Sequence, residues 1–319
     1  MFEYRNESYT PGSTMRTYPI EVTSNSINAH GHEEALNNKI LVTGVARNCA
    51  KTIKKDYSRI ATALGSFPNV QWIIIESDSS DGTVTKLKEL EAMNNHFRYI
   101  TLGNLYKDIP LRTERIAYCR NSYINEINTN PEYINLDYVI VADFDGINDS
   151  ITETGIISCW IRQDWDVCTA NQKGPYYDIW ALRHPSWSPN DCWAQYKFFI
   201  DNKVNPEKSL FSAIHSRMIV ISEHTNWIEV DSSFGGFAIY RKICLQGATY
   251  SGINADGGEI CEHVTLHQQI KSHGYKIFIN PQLINAKFTE HTKTLRPLHN
   301  SYRKAKNIIK SILYKIKAV

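Results

Sequence analysis

Hydrophobic residues in the first half of the chain fall into short apolar runs separated by amphipathic stretches. The apolar, β-branched runs predict four strands, at 39–45, 70–75, 97–102 and 138–142. Helical periodicity between them predicts helices at 50–64, from about 83 to 93, and at 113–127. Strands that alternate with helices of this length indicate an α/β fold with a mainly parallel sheet covered on both faces.

The second half of the chain has a less regular pattern. Its apolar runs predict strands at 166–170, 217–221 and 236–240. A helix is predicted from Glu262 to His273, ended by Gly274, and a final strand follows from Tyr275 to Ile279. No linker rich in Pro, Gly or Ser divides the middle of the chain, so we expect one domain with a mixed sheet over 38–295.

The two ends of the chain differ from this domain. Residues 1–37 are polar without clear periodicity, and we interpret them as an irregular arm. Residues 296–319 predict a basic amphipathic helix, with apolar positions at Ala305, Ile308, Ile309, Ile312, Leu313 and Ile316. Two interpretations stay open for this helix: it docks on the core with a solvated basic face, or 301–319 binds an anionic lipid surface.

Composition and charge limit the class of protein. The N-terminus lacks the pattern of a signal peptide, and no apolar run is as long as a membrane span. Seven cysteines at irregular spacing predict reduced thiols, so we expect a cytoplasmic protein, peripheral on the inner face of the membrane if 301–319 binds lipid. That tail contributes six positive charges to a net charge of +2, so residues 1–300 carry −4 and no nucleic-acid footprint.

The strongest chemical signal is Asp143-Phe144-Asp145, directly after the apolar run 138–142. Ligands in α/β proteins bind beyond the carboxyl ends of the parallel strands, which is where these two carboxylates are expected. Carboxylates at i and i+2 can hold Mg²⁺ or Mn²⁺ and leave coordination positions for phosphate oxygens. The alternative is ordinary turn chemistry.

Other strand ends carry polar groups suited to a nucleotide. Arg47 follows the first strand, and Glu76 and Asp78 follow the second. Arg115 and Arg120 lie on the helix before the fourth strand. A carboxylate could accept hydrogen bonds from a base or ribose, and guanidinium groups suit a diphosphate. Each taken alone could also be a surface ion pair.

Four motifs in order along the chain resemble those of the GT-A glycosyltransferases. Residues 75–83 resemble their nucleotide-binding turn, and 112–121 resemble their "ARN"-type helix, with Cys119 in place of Ala. Asp143-x-Asp145 takes the place of their metal-binding DxD. Glu262–Leu266 followed by Gly274-Tyr275 is similar to their "ED-x-x-L … G-Y" helix.

This resemblance implies a Rossmann-like GT-A domain, with a nucleotide-binding half at 38–150 and an acceptor half at 151–295. It implies a metal-dependent glycosyltransferase that uses a GDP- or UDP-sugar with Mn²⁺ or Mg²⁺. The metal would be bound by Asp143, Asp145 and a C-terminal histidine, for which His291 is the candidate. Asp143 would also contact the nucleotide, together with the residues at the other strand ends.

In the GT-A enzymes, this helix begins with a pair of acids, one of which serves as the general base. Here His263 stands in place of the second acid, so the identity of the base is open. Either Glu262 or His263 would then take the proton from the acceptor hydroxyl. An enzyme that retains configuration would need no such base, and Glu262 would then be a helix-capping carboxylate.

A finer resemblance, to the CAP59-type α-1,3-mannosyltransferases, includes the segment Tyr176–Arg183. It implies mannose as the sugar and a glycan or lipid-linked acceptor in surface polysaccharide synthesis. Tyr177, Asp178 and Trp180 would contact sugar, although aromatic rings more commonly pack in a core. The pair Gly235-Gly236 would allow close approach of a sugar, or would form an ordinary turn.

Three other classes of function stay open. Asp143 and Asp145 also resemble the nucleophile loop of haloacid-dehalogenase-type phosphatases, although three βα units precede them here. A non-catalytic carbohydrate- or nucleotide-binding protein would bind a donor without turnover. A nucleotidyltransferase would share the sheet but would need a Gly-rich phosphate loop, which does not follow the first strand.

Overall fold

The computed structural model describes residues 35–289 and 291–292. Eight strands form one sheet in the order β3-β2-β1-β4-β7-β5-β8-β6. Their bounds are Lys39–Ala46 (β1), Asn69–Glu76 (β2), Phe97–Thr101 (β3), Tyr138–Ala142 (β4), Val167–Gln172 (β5), Ile228–Val230 (β6), Phe237–Arg241 (β7) and Ile277–Ala286 (β8). Only β6 and β7 run against the other six strands. The predicted Rossmann-like α/β fold with a mixed, mainly parallel sheet is confirmed.

Helices cover both faces of this sheet. They are Ile53–Ala63 (α1), Thr83–Met93 (α2), Arg112–Thr129 (α3), Glu153–Ile157 (α4), Cys192–Asp201 (α5), Pro206–Ala213 (α6) and Glu262–Ser272 (α7). Because alternate residues of a strand face opposite sides, Leu41 belongs to the hydrophobic cluster under α3 and α7, and Ile40 to the cluster under α1, α2 and α4. All seven cysteines are free and buried in these two clusters.

The strand predicted at 217–221 is wrong. A short 3-10 turn occupies His215–Arg217, and the following segment makes a single antiparallel bridge between Val220 and Pro175. Proline has no N–H to donate, so the pairing stops there despite the β-branched sequence.

Two further differences lie in the second half. The last strand was predicted from Tyr275 to Ile279, but it begins at Ile277 and continues to Ala286 beside β5. Helices α4, α5 and α6 and strand β6 are not among the predicted elements. The predicted boundary at residue 150 falls in the loop between β4 and α4, while the sheet continues across it, so a division into two halves stays a prediction.

The helix predicted at 296–319 lies outside the described residues. The irregular arm predicted at 1–37 also lies outside them as far as residue 34. Within 35–289 and 291–292, no helix has the length and apolar composition needed to cross a membrane.

Candidate active site

A cavity of about 760 Å³ opens at the carboxyl ends of β1, β2 and β4. The connections leave β1 and β4 in opposite directions along the sheet, which is the point where α/β proteins bind ligands. Twelve of the fifteen predicted site residues line this cavity: Arg47, Asp78, Arg115, Arg120, Asp143, Asp145, Tyr177, Asp178, Trp180, Glu262, His263 and His291. The exceptions are Glu76, Gly235 and Gly236.

The two carboxylates after β4 differ in environment. Asp143 is half-buried, and burial, together with the nearby Asp145 charge, raises the pKa of its carboxyl to about 8. Asp145 is exposed, and its carboxylate accepts the backbone N–H of Ile147 at 3.2 Å. In the described part of the chain, no three His, Cys, Asp or Glu side chains are already grouped as a metal site. Two carboxylates at a cavity edge are nevertheless the usual protein share of a Mg²⁺ site completed by phosphate oxygens.

Helix α1 supports this carboxylate loop from below. Asp56 is fully buried and accepts the backbone N–H of Gly146 at 2.7 Å, while the hydroxyl of Thr52 donates to the carbonyl of Phe144 at 2.7 Å. Burial raises the pKa of Asp56 to about 6. No sequence pattern predicts this role, because Asp56 lies on the buried face of an ordinary amphipathic helix.

Arg120 connects the two sides of the cavity. Its Nε donates to Glu262 Oε1 at 3.0 Å, and its Nη2 lies 3.5 Å from Asp143 Oδ1. The guanidinium also lies over the rings of Phe234 and Tyr250, at 5.3 and 5.6 Å from their centroids. With only 4% of its side chain exposed, this arginine orients both carboxyl groups in a water-poor environment, where electrostatic interactions are strong.

Glu262 and His263 begin α7 and both line the cavity. The His263 ring stacks on Phe234 with centroids 3.8 Å apart, and its Nε2 lies 3.8 Å from Glu262 Oε1. Burial, assisted by the Arg120 charge, lowers the pKa of His263 well below its usual value, so the ring is neutral. Neither ring nitrogen has a hydrogen-bond partner among the described residues.

At the end of β2, Glu76 lies outside the cavity wall, whereas Asp78, in the turn that follows, lines the cavity. The Glu76 carboxylate accepts the backbone N–H of Ser79 and the hydroxyl of Thr101, so it fixes the turn. Arg115 donates to the carbonyls of Ile109 and Pro110, with Nε 3.8 Å from Asp78. The prediction of Glu76 as a nucleotide contact is therefore not supported by its position.

Gly235 and Gly236 also lie outside the cavity wall. Their lack of a Cβ lets other segments of this protein, and not a sugar, approach closely. Their φ angles are +71° and +86°, the left-handed region that favours glycine. A Cβ on Gly236 would lie 2.8 Å from Ile147 and 3.0 Å from the hydroxyl of Tyr177. The N–H of Gly235 donates to Asp178 at 2.9 Å, and the carbonyl of Gly236 accepts from the backbone of Asp143 at 3.0 Å.

A buried network of side-chain amides, which no sequence pattern predicts, holds this glycine pair. Asn148 donates to the carbonyls of Asp143 and Gly236, at 2.7 and 3.1 Å. Asn285 donates to Asn148 and to the carbonyl of Gly235, both at 2.8 Å, and Gln172 donates to Asn285 at 3.1 Å. Three distant segments thus fix the backbone of the carboxylate loop, and no sequence spacing marks them as partners.

The opposite wall of the cavity comes from the segment after β5. The ring of Tyr177 stacks on that of His291, with centroids 5.4 Å apart and planes 8° apart. Burial raises the pKa of Asp178, whose carboxyl accepts the backbone N–H of Gly235. Trp180 donates its indole N–H to Asp191 at 3.1 Å, so the tryptophan ring is fixed. Trp193, Met218 and Glu259 line the cavity as well and were not predicted.

Several solved structures are similar to this chain. Residues 1–349 of S. aureus TarS in complex with UDP-GlcNAc match at 14% identity and TM-score 0.44, over 79% of this chain and 59% of that one. Mannosyltransferase PcManGT from Pyrobaculum calidifontis, in complex with GDP-Man and Mn²⁺, matches at 12% identity and TM-score 0.45, over 78% and 56%. Glucosyl-3-phosphoglycerate synthase from Mycobacterium tuberculosis, with Mn²⁺, UDP and phosphoglyceric acid, matches at 11% identity and TM-score 0.38, over 88% and 73%.

The chain spans less than two thirds of the length of the first two proteins. At these identities and TM-scores the similarities carry no argument about what this chain binds or catalyses. No protein-family model matches the chain, and no curated protein matches it.

Proposed function

We propose that this chain is a GT-A glycosyltransferase that transfers a sugar from a nucleotide-diphospho-sugar to an acceptor hydroxyl. The observation that carries the proposal is one cavity lined by Asp143 and Asp145 at the end of β4, four arginines and a carboxylate at the start of α7. A diphosphate leaving group needs positive charge on its oxygens, and the acceptor hydroxyl of an inverting enzyme needs a base on the opposite side.

In the donor site, Arg47, Asp78 and Arg115 would contact the nucleotide and its diphosphate. Asp145 and Asp143 would hold Mn²⁺ or Mg²⁺, with His291 as the candidate third ligand on the same cavity. When bound, the cation would neutralise charge that develops on the diphosphate.

On the acceptor side, Glu262 is the proposed general base. Its carboxylate is oriented by Arg120. The neutral His263 beside it adds no positive charge next to that carboxylate. Asp178, Tyr177 and Trp180 would contact the sugars, while Gly235 and Gly236 would act through Asp143 and Asp178.

The phosphatase alternative has less support, because no lysine lines the cavity in the described part of the chain. Such an enzyme needs a cation beside its aspartyl nucleophile, and Arg120, which lies beside Asp143, is shared with Glu262. A non-catalytic binding protein would not need a carboxylate placed opposite the donor site.

A thermal-shift panel of UDP-, GDP-, CMP- and dTDP-sugars, with and without Mn²⁺, tests the donor site. A ligand at about 100 times its Kd adds about 2.7 kcal/mol, so one nucleotide should raise Tm only with the metal. Asp145→Asn is the matched variant, because Asp145 is exposed and its loss should not unfold the protein. A flat panel with folded protein would refute the proposal, and phosphate release from simple phosphomonoesters would favour the phosphatase.

The finer proposals are mannose as the sugar, a glycan or lipid-linked acceptor in surface polysaccharide synthesis, and peripheral attachment through 301–319. GDP-mannose in the panel tests the first. Deletion of 301–319 should release the protein from anionic liposomes, because each basic residue near such a surface adds about 1 kcal/mol. Unchanged binding of the truncated chain would refute the attachment.

A further inference from the structure

The cavity has two chemically different sides. The donor side carries the arginines and the carboxylates after β2 and β4. The other side includes six residues without charge, which we call the apolar wall: Ile179, Trp180, Cys192, Trp193, Ile214 and Met218. When an apolar group covers such a wall, apolar surface on both is removed from water, which is favourable.

The polar group of Trp180 in the apolar wall is already used within the protein. Asp191 accepts the Trp180 indole N–H through one oxygen, and through the other it caps α5 at the backbone N–H of Trp193 and Ala194. Arg183 donates to the same carboxylate at 2.6 Å. One carboxylate therefore holds the ring of Trp180 and the backbone of Trp193. Because the indole N–H of Trp180 already donates to Asp191, it is not available to a sugar hydroxyl.

The apolar wall continues out of the cavity onto the surface. Trp193, on α5, is 45% exposed, and Phe198, five residues further and about 140° around the same helix, is 61% exposed. Met218 is followed by Ile219 and Val220, which are 45% and 59% exposed. These aliphatic side chains offer no hydrogen bonds to a sugar, so an apolar group gains more by covering them than a sugar does.

The width of this surface favours one chain over a bilayer. The ion pair between Lys197 and Asp201, with 2.7 Å between Nζ and Oδ2, lies between Trp193 and Phe198 around α5. A bilayer on this helix would bury both charges in hydrocarbon, which is costly, whereas a single alkyl chain beside Trp193 leaves the pair in water.

We infer that the apolar wall is a subsite for an apolar chain attached to the acceptor saccharide, such as an alkyl or isoprenoid aglycone. The inference rests on the proposed function, since it places the acceptor opposite the donor site. It selects the lipid-linked class of acceptor over a free glycan.

The test uses methyl, n-hexyl and n-octyl β-D-glucopyranosides below their micelle concentrations, with Kd measured by calorimetry on the full chain without donor. Each added methylene should tighten Kd by roughly two- to fourfold if it is buried on the wall. Equal affinity for the methyl and octyl compounds would overturn the inference.

Variants locate the binding. Trp193→Ser and Val220→Ser should each reduce the octyl-to-methyl affinity ratio by at least about fivefold, while Trp193→Phe should keep most of it. Ile134→Ser is the matched control, because Ile134 is 63% exposed just before the amino end of β4, whereas the cavity lies at the carboxyl ends of the strands, and this variant should keep the ratio. An octyl effect that survives in both serine variants is non-specific and refutes the subsite.

Other occupants of the face give distinct results. Binding to phosphatidylcholine vesicles without binding of monomeric octyl glucoside would assign the face to a bilayer and overturn the inference. A change from dimer to monomer in sedimentation on Trp193→Ser would assign it to a subunit interface, with the same consequence. Because donor is absent throughout, failure here is separate from failure of the donor panel.

Discussion

The two halves of the sheet build the cavity in different ways. In the first half, residues next to each other in space come from consecutive strand ends, as Arg47 after β1 and Asp78 after β2 illustrate. In the second half, partners are farther apart in sequence: Gly235 donates its backbone N–H to Asp178 across 57 residues. Repeated βα units therefore place the donor side, whereas long-range polar contacts place the acceptor side.

The difference implies that the two halves can be disabled separately, and the largest effects should be on activity. Asp145→Asn should abolish the metal-dependent rise in Tm with donor, because a carboxylate ligand is lost. Glu262→Gln should keep that rise but lower turnover by roughly 10²- to 10⁴-fold, the usual contribution of a general base. Donor thermal shift and transfer rate, measured on both variants, check this.

Normal turnover of folded Glu262→Gln would exclude Glu262 as the base and favour a mechanism that retains configuration. Loss of donor binding in that variant would mean that the two sides of the cavity are not separable.

The contact between the halves should dominate stability. Arg120→Met removes the partner of buried Glu262 and should lower the free energy of unfolding by about 3–5 kcal/mol. Lys197→Met removes the cation of an exposed ion pair and should cost at most about 0.5 kcal/mol. Denaturant unfolding of both variants measures the difference, and similar values would contradict a strong link between the halves.

Each half contains a buried titratable group, and the two should have opposite effects on pH dependence. The raised pKa of Asp56, about 6, means that its contribution is present below its unfolded pKa near 4 and is lost as pH rises to 6. His267 is neutral between Ser232 and Tyr240, and burial lowers its pKa to about 3. Its contribution is therefore present above pH 6.5 and is lost as pH falls.

Denaturant unfolding of metal-free protein at pH 4.5 and 7.0 checks these signs. Relative to wild type, Asp56→Asn should gain about 2 kcal/mol between pH 4.5 and 7.0, and His267→Gln should lose a similar amount. Parallel pH profiles for the wild type and the two variants would show that neither pKa is shifted.

The last comparison concerns a glycine in contact with its surroundings and one in open space. Gly236→Ala places a Cβ against Ile147 at a φ of +86° and should cost about 2 kcal/mol or more. Gly247→Ala has a similar φ, +71°, but no neighbour within 4 Å, so only about 1 kcal/mol is expected. Equal losses of unfolding free energy would mean that the contact with Ile147 is easily relieved.

The sequence predicts most of the first half because its signals are local. The strands predicted at 39–45 and 70–75 are observed at Lys39–Ala46 and Asn69–Glu76. Signals for the missed helices were also present, since Asp191 caps α5 and Asn205-Pro206 begins α6 with a cap and a first-turn proline. These two helices could have been predicted.

Other features could not be predicted from local pattern. The run at 217–221 has strand composition, but its partner Pro175 cannot continue a ladder. Asn148 and Asn285 have no distinctive spacing, and their hydrogen bond joins residues 137 positions apart. Which buried amide meets which carbonyl depends on the packed fold, so the support of a site is harder to predict than its charged residues.

The amide network behind Asp143 also determines how little the loop must rearrange during a reaction. Its dipoles are fixed by several hydrogen bonds before any ligand arrives, so the cost of reorientation is met during folding. The backbone N–H of Asp143, bonded to the Gly236 carbonyl, should therefore exchange with deuterium only through the most global opening of the molecule. In this protein, the slowest-exchanging backbone would lie directly under the reacting groups.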